Sequence, residues 1–362
     1  MSGRMRVLVT LDAVGGVWRY AMDLARALRR ERVDTLFLGF GPPPSPRQRA
    51  EAEALGTLDW ADAPLDWLAP SPDAVAQVPD LIARAARRYG ADLLHLNLPS
   101  QAAGLDTPRP VLVATHSCTP TWFRAVRRSG PPPGWEWQHD LNARGFARAD
   151  LVVAPSLSHA EATVACYGFL PNLRVVPNGT AAPEGRLPEQ PFVIASGRWW
   201  DEGKGGATLD AAARLSDWPL RLLGPAQGAN GATFAARHAT LEGELPHAEA
   251  VALMRSAGIF VSPSLYEPFG LAVAEAARMG LPLVLSDIPT FRELWDDAAL
   301  FVPPGDPRAL ARALNRLAAD PALRRSFGEA ARLRSRRYGP GAQATAMLRL
   351  YETLAVPMAL AR

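Results

Sequence analysis

"SLYEPFGLAVAEAARMGLPLVLSD" (Ser264–Asp287) is the stretch from which the fold can be read. Its middle has the pattern of a helix, and Pro282–Asp287 closes it with a short apolar run of strand type. The helix is expected to start at Phe269-Gly270-Leu271. A helix start leaves backbone N–H groups without intrahelical partners and carries the positive end of the helix dipole, so it attracts anions. Gly270 would let a ligand come close to the backbone. Two carboxylates eight residues apart, Glu267 and Glu275, flank this junction. Glu267 is expected before the helix, at the mouth of a crevice. Glu275 is expected two turns in and on nearly the same face, because eight steps of 100° return to within roughly 80°. The residues around Glu275 (Leu271, Ala272, Val273, Ala274, Ala276, Ala277) are apolar. A lone acid there is expected to sit beside a ligand or to be paired.

The same rhythm of short apolar runs and amphipathic stretches extends outward. Toward the N-terminus, Arg6–Leu11, Asp34–Phe40, Asp92–Leu98, Pro110–His116 and Asp150–Ser156 read as strands, each linked by a helical stretch. Around the opening segment, Phe192–Gly197, Leu220–Gly224, Gly258–Ser264 and Ala299–Pro304 join Pro282–Asp287 as a second set. Runs apolar on both faces and joined by helices predict parallel sheets covered on both sides. Between the sets, "PNGTAAPEGRLPEQP" (Pro177–Pro191) has no periodicity and is rich in turn formers, so it reads as a linker. The expected architecture is two doubly wound, Rossmann-like α/β domains, residues 1–180 and 190–340. Ligands are expected in the crevice between them, outside the carboxyl ends of the strands. After Ala309 the pattern is helical, with breaks at Pro321 and Pro340. Residues 341–362 are expected to form a last helix.

Composition narrows the classes. The 362 residues suit about two domains. A 48% hydrophobic and 21% charged content is that of a globular chain. No apolar run reaches 18 residues, so no membrane span is expected. Met1–Arg6 leads straight into an apolar run of about five residues, shorter than a signal peptide needs. Two cysteines, Cys118 and Cys166, make no disulfide framework, and a cytoplasmic, reduced protein is expected. The net charge of +3 is no nucleic-acid-binding excess. Of the 39 basic residues all but one are arginine; the exception is Lys204. Lysine is a compact point charge where arginine is a planar fork, so a single retained lysine marks a position that arginine fills badly.

Several familiar motifs are absent. "GRWWDEGKGG" (Gly197–Gly206) has one residue too many for a phosphate-binding P-loop and lacks its Ser or Thr. No Gly-x-Gly-x-x-Gly follows the first strand. No Cys/His cluster has zinc spacing, and no Asp-x-Asp pair offers itself to a metal-bound diphosphate.

The opening segment resembles the Glu-x7-Glu motif of the retaining nucleotide-sugar glycosyltransferases of family 4, which have the GT-B fold. "GRWWDEGKG" is similar to that family's Gly-Arg…Lys-Gly loop, "ALFVPPGDPRALARAL" to its usual continuation, and "ADLVVAPS" with "VVPNG" to the end of its first domain. The resemblance covers nearly the whole chain and is densest in the second half. It implies that Arg198 and Lys204 neutralise a donor diphosphate. It implies that Glu275 accepts hydrogen bonds from ribose hydroxyls, and Glu267 from hydroxyls of the transferred sugar. Backbone N–H groups at Phe269, Gly270 and Leu271 would hold phosphate and sugar oxygens, and Gly16 would let a first-domain loop close over the diphosphate. His116, at a strand end, would lie beside the reacting centre. The family commonly has an acid just after this histidine; here Ser117-Cys118 follow. The other five histidines read as structural or surface residues.

For the acceptor, Trp122, Arg124 and Trp135 are the candidates, with Arg127, Arg128 and Trp137 nearby, since indoles stack on sugar faces and arginines meet acidic groups. Core packing explains tryptophans equally well. The resulting expectation is a metal-independent, retaining glycosyltransferase without a cofactor, using a nucleotide diphosphate sugar. The acceptor would be a glycan, a lipid-linked or a small molecule, with a peripheral contact to the inner membrane face as an option. The last helix would return to the first domain. A nucleotide-sugar epimerase or hydrolase on the same fold is the rival enzyme. A two-domain solute-binding protein is the rival of another class.

Overall fold

The computed structural model describes residues 4–360, with side chains described as far as Ala355. The chain divides into two compact units, residues 1–179 with 340–362, and residues 180–339.

The first unit holds seven strands: β1 (Met5–Leu11), β2 (Val33–Gly39), β3 (Thr57–Trp60), β4 (Leu93–Leu96), β5 (Val111–Ala114), β6 (Leu151–Ala154) and β7 (Leu173–Val175). They form one sheet in the order β3-β2-β1-β4-β5-β6-β7, and every pairing is parallel. Helices α1 (Gly16–Leu28), α2 (Pro46–Glu53), α3 (Val78–Tyr89), α4 (Thr119–Trp122), α5 (Glu136–Arg148) and α6 (Leu157–Tyr167) connect them. The second unit holds β8 (Gln190–Ser196), β9 (Leu220–Leu223), β10 (Thr240–Gly243), β11 (Ala257–Ser262), β12 (Leu283–Ser286) and β13 (Ala299–Val302), again all parallel, in the order β10-β9-β8-β11-β12-β13. Its helices are α7 (Gly206–Ala213), α8 (His247–Ser256), α9 (Leu271–Met279), α10 (Pro289–Trp295), α11 (Pro307–Ala319) and α12 (Pro321–Ser335). The last helix, α13 (Pro340–Leu360), belongs to the first unit.

The apolar runs arise because both faces of each sheet are covered. In the second unit Phe192, Ile194, Phe260, Leu283 and Leu285 enter one core, while Val193, Ala195, Ile259, Val261 and Val284 enter the other. Neighbours along a strand point to opposite faces, so every position must be apolar. The expected breaks at Pro321 and Pro340 are the starts of α12 and α13, and α11 starts in the same way at Pro307. Pro307 and Pro321 each take the first position of a helix, where a missing N–H costs nothing. Asp306 accepts from the N–H groups of Arg308 and Ala309, and Asp320 from those of Ala322 and Leu323, all at 2.9 Å.

Three strands escape the sequence reading: β3, β7 and β10. Each lies at an edge of its sheet. All three are short and exposed or half-buried along their length, so none carries a continuous apolar run; the fourth edge strand, β13, is buried at both ends and does. β8 also begins inside the expected linker, at Gln190.

Candidate functional site

In the second sheet β8 has β9 on one side and β11 on the other, so the direction of winding reverses between β8 and β11. The loops that leave the carboxyl ends of two such strands diverge and leave a crevice. The loop after β8 runs from Gly197 to Gly205. Trp199 is buried at its base and donates from Nε1 to the Leu223 carbonyl at 3.1 Å. Asp201 accepts from the Gly203 N–H at 2.9 Å and starts a tight turn, Glu202–Lys204. Gly205 then takes a left-handed conformation (φ +70°), and a Cβ there would lie 2.4 Å from the Pro263 carbonyl oxygen. Only glycine lets this loop lie against the one after β11. The Leu265 N–H completes the seam by donating to the Gly203 carbonyl at 2.8 Å.

That seam brings Lys204 to Glu267. Their side chains form an ion pair and are only 18% and 13% exposed. Ser264 Oγ donates to the same carboxylate oxygen at 3.4 Å. Arg198, in the same loop, has a guanidinium nitrogen 3.5 Å from Asp201 and lies over the Trp200 ring at 5.3 Å. Next along the chain comes the start of α9. Gly270 caps it at φ +87°, and a Cβ there would be 3.1 Å from Phe291 and 3.3 Å from Val273. Phe269 turns its side chain into the core, edge-on to Tyr338 at 5.5 Å, so only its backbone is available to a ligand. The helix begins at Leu271, which puts Glu275 one turn in, not two, and half-buried. Glu267 lies before the helix as expected; the eight residues from Glu267 to Glu275 make two turns only if counted from the loop, and four of them precede Leu271.

Beside this cluster, at the carboxyl ends of β9 and β10, lies an open cavity of ≈ 700 Å³. Residues Pro225 to Ala229, Thr233 and Phe234 line one side, Gly243 and Glu244 the other. Its wall is a small hairpin in which Gln227 and Thr233 pair. No sequence motif marked this segment; the run of turn formers Gly228-Ala229-Asn230-Gly231 was its only signal.

In the first sheet the winding reverses between β1 and β4. Gly16 is the first residue of α1 and so part of the helix rather than of a free loop. Gln48 on α2 donates to the Ala13 carbonyl at 3.2 Å and steadies the turn before it. Asn97 follows β4 and His116 follows β5. Asn97 Oδ1 lies 2.8 Å from His116 Nε2, and the Tyr20 ring packs edge-on to His116 at 4.5 Å. Tyr20 continues to His95 (hydroxyl to Nε2, 3.2 Å), and His95 Nδ1 meets the Tyr351 hydroxyl of α13 at 2.6 Å. Burial pulls the pKa of His116 down to about 4, and those of His95 and His159 to about 3. Asn97, Tyr20 and Tyr351 were not singled out in the sequence, since nothing local ties them to His116. Just after His116, Cys118 caps α4: its N–H donates to Thr121 Oγ1 at 3.1 Å, and its thiol meets the Tyr167 hydroxyl at 3.1 Å.

Trp122, Phe123 and Trp135 form an edge-to-face row, 5.1 and 6.4 Å between centroids, and Trp135 is 41% exposed. Phe123, missed in the sequence, is the centre of that row. Arg124 donates to the Ala165 carbonyl at 3.1 Å. Among the described residues, no three His, Cys, Asp or Glu side chains gather as a metal site requires, and no helix is long and apolar enough to cross a membrane.

The family described as Glycosyltransferase Family 4 matches residues 14–182, and that described as Glycosyl transferases group 1 matches residues 209–334. The chain belongs to the family 4, group 1 glycosyltransferases. Among relatives, a phosphatidyl-myo-inositol mannosyltransferase of Mycobacterium leprae is 36% identical over 33% of this chain and 32% of its own length. One of Mycolicibacterium smegmatis is 31% identical over 45% of each. The chain thus spans between about a fifth and a half of the length of the curated relatives it matches. Among solved structures, sucrose-phosphate synthase of Thermosynechococcus elongatus superposes with a TM-score of 0.81 over 98% of this chain and 100% of the other, at 21% identity. Anabaena HepE in complex with UDP-glucose does so at 0.75 over 97% and 100%, at 18% identity. The fold of this family 4 chain is therefore GT-B. Of the residues anticipated for catalysis and donor binding, Arg198, Lys204, Glu267, Phe269, Gly270, Leu271 and Glu275 lie on two adjoining loops and one helix of the second unit, while Gly16 and His116 lie in the first.

Proposed function

We propose that the protein is a nucleotide-sugar-dependent glycosyltransferase that retains the anomeric configuration of its donor and needs no metal ion. The observation that carries this reading is the Lys204–Glu267 pair at the winding reversal, beside the start of α9. A lysine ammonium and a helix N-terminus both attract phosphate. On donor binding Lys204 would turn to the diphosphate together with Arg198, and Glu267 would accept hydrogen bonds from the sugar. Glu275 would hold the ribose, and the open cavity beside β9 and β10 would take the base. Two cationic side chains supply the charge that a metal ion would otherwise bring. Glu267 is read as a hydrogen-bonding group, and the transfer as a front-face displacement assisted by the leaving phosphate. The first unit would bind the acceptor, with Trp122, Arg124 and Trp135 as candidates and His116 near the reacting centre. The UDP-glucose complex of HepE supports a nucleotide-sugar donor.

The test is incubation with UDP-, GDP- and ADP-sugars and candidate acceptors, followed by mass spectrometry and NMR of the product. A glycosylated product with the donor's anomeric configuration, formed equally well in EDTA, is expected. An inverted anomer, or activity restored only by added metal, would overturn the mechanism. Donor consumption without any acceptor would make the protein an epimerase or hydrolase, and failure to bind any nucleotide sugar would end the transferase reading.

A further inference from the structure

The polar side chains at the carboxyl edge of the first sheet fix one another's proton positions. Asn97 is buried, and its backbone N–H donates to Thr10 Oγ1 at 2.8 Å, which seats it against β1. Its side-chain Nδ2 lies 2.5 Å from the Thr10 carbonyl oxygen. A carbonyl oxygen can only accept, so the amide NH2 faces Thr10 and Oδ1 faces His116. Oδ1 can also only accept, so the His116 nitrogen 2.8 Å away, Nε2, carries a proton and donates it. Burial keeps the ring neutral at pH 7, which leaves room for one proton only. The titratable neighbours do not oppose this: Tyr20 of α1 meets the ring edge-on, and His95 of β4 and His159 of α6 are themselves buried and neutral. Nδ1 is left with a bare lone pair, and no described residue donates to it.

We propose that Asn97 is a positioning residue that holds His116 as its Nε2–H tautomer and so makes Nδ1 an acceptor for a substrate hydroxyl. This position then selects a polyhydroxy ligand and turns away a carbonyl, carboxylate or phosphate oxygen, which would face a lone pair. That the hydroxyl belongs to a sugar rests on the transferase reading; the tautomer does not.

The experiment is long-range proton–nitrogen NMR of the histidine side chains in the full chain, with the His116 signals assigned by their loss in His116→Asn. The free protein at pH 7 should show a protonated Nε2 and an unprotonated Nδ1. A proton on Nδ1, alone or together with one on Nε2, would overturn the proposal. Asn97→Asp keeps the size but sets a carboxylate against Nε2, so His116 should hold a second proton at neutral pH and Nδ1 should become a donor. If that variant does not fold, the wild-type spectrum decides alone. A nucleotide sugar that binds by calorimetry should move the Nδ1 resonance, and the matching nucleoside diphosphate should not. A bound sugar that leaves Nδ1 unmoved overturns the proposal. If no nucleotide sugar binds at all, the transferase reading fails while the tautomer is still read in the free protein.

Discussion

At the scale of single residues, Lys204 carries the sharpest expectation. Its ammonium is held by Glu267 in a partly buried place, in a chain whose other 38 basic residues are arginine. Losing a charge-assisted contact costs on the order of 1.5–3 kcal/mol, roughly ten- to hundredfold in affinity. Lys204→Ala should therefore weaken nucleoside diphosphate binding by that factor and remove most turnover. Lys204→Arg should recover only part of it, because the planar fork is wider than the ammonium it replaces. Titration of each variant checks this, and unchanged affinity in Lys204→Ala would remove the residue from the donor site. Glu275 is tested by a different contrast. It is half-buried, one turn into α9. As a ribose ligand, Glu275→Gln should weaken donor binding with little change in melting temperature. The opposite pattern would make it a structural residue.

At the scale of elements, the start of α9 depends on one glycine. Gly270 sits at φ +87°, where an alanine is strained, and its Cβ would crowd Phe291 and Val273. Gly270→Ala should cost about 1–3 kcal/mol of stability and weaken anion binding by shifting the helix start. Gly104→Ala is the control. Gly104 also has a positive φ, +79°, but its Cβ would meet nothing within 4 Å. It should lose only the backbone part, about 1 kcal/mol, and leave ligand binding untouched. Equal effects from the two substitutions would show that crowding at α9 plays no part. The same scale explains α13. Tyr351 bonds His95, and Gln343 accepts from the Gly179 N–H at 2.9 Å, so two side chains tie this helix to the first unit.

At the scale of the whole molecule, the buried histidines predict how stability follows pH. His95 and His159 are essentially fully buried, and both have pKa values near 3, well below the ordinary 6.5. A histidine depressed in the folded state stays neutral there but takes up a proton on unfolding. Its contribution is complete above pH 6.5 and is lost as pH falls toward the folded value. Each should remove about 1.4 kcal/mol per pH unit between roughly pH 6 and pH 4. The loss should begin above the range where ordinary carboxylates titrate. Melting curves between pH 8 and pH 4 test this, and a melting temperature that stays level from pH 7 to pH 5 would refute it.

The sequence by itself determined the parallel, doubly wound sheets, because strands buried on both faces must be apolar at every buried position, and Phe192–Ala195 and Leu283–Leu285 show this directly. It also marked the Lys204 loop and the Glu267–Glu275 segment, because a glycine at a tight turn, a lone lysine and an acid in an apolar helix are local departures from what packing alone would select. What it could not show was decided by partners far apart in the chain. The strands β3, β7 and β10 exist because a neighbouring strand offers its backbone, and at a sheet edge that leaves little trace in side-chain polarity. The proton on His116 Nε2 is set by Asn97, which is oriented by a carbonyl on β1. His95 is bridged by Tyr20 and Tyr351, and the latter lies 256 residues away. Hydrogen-bond direction is a property of assembled neighbours, so only the folded chain could assign it.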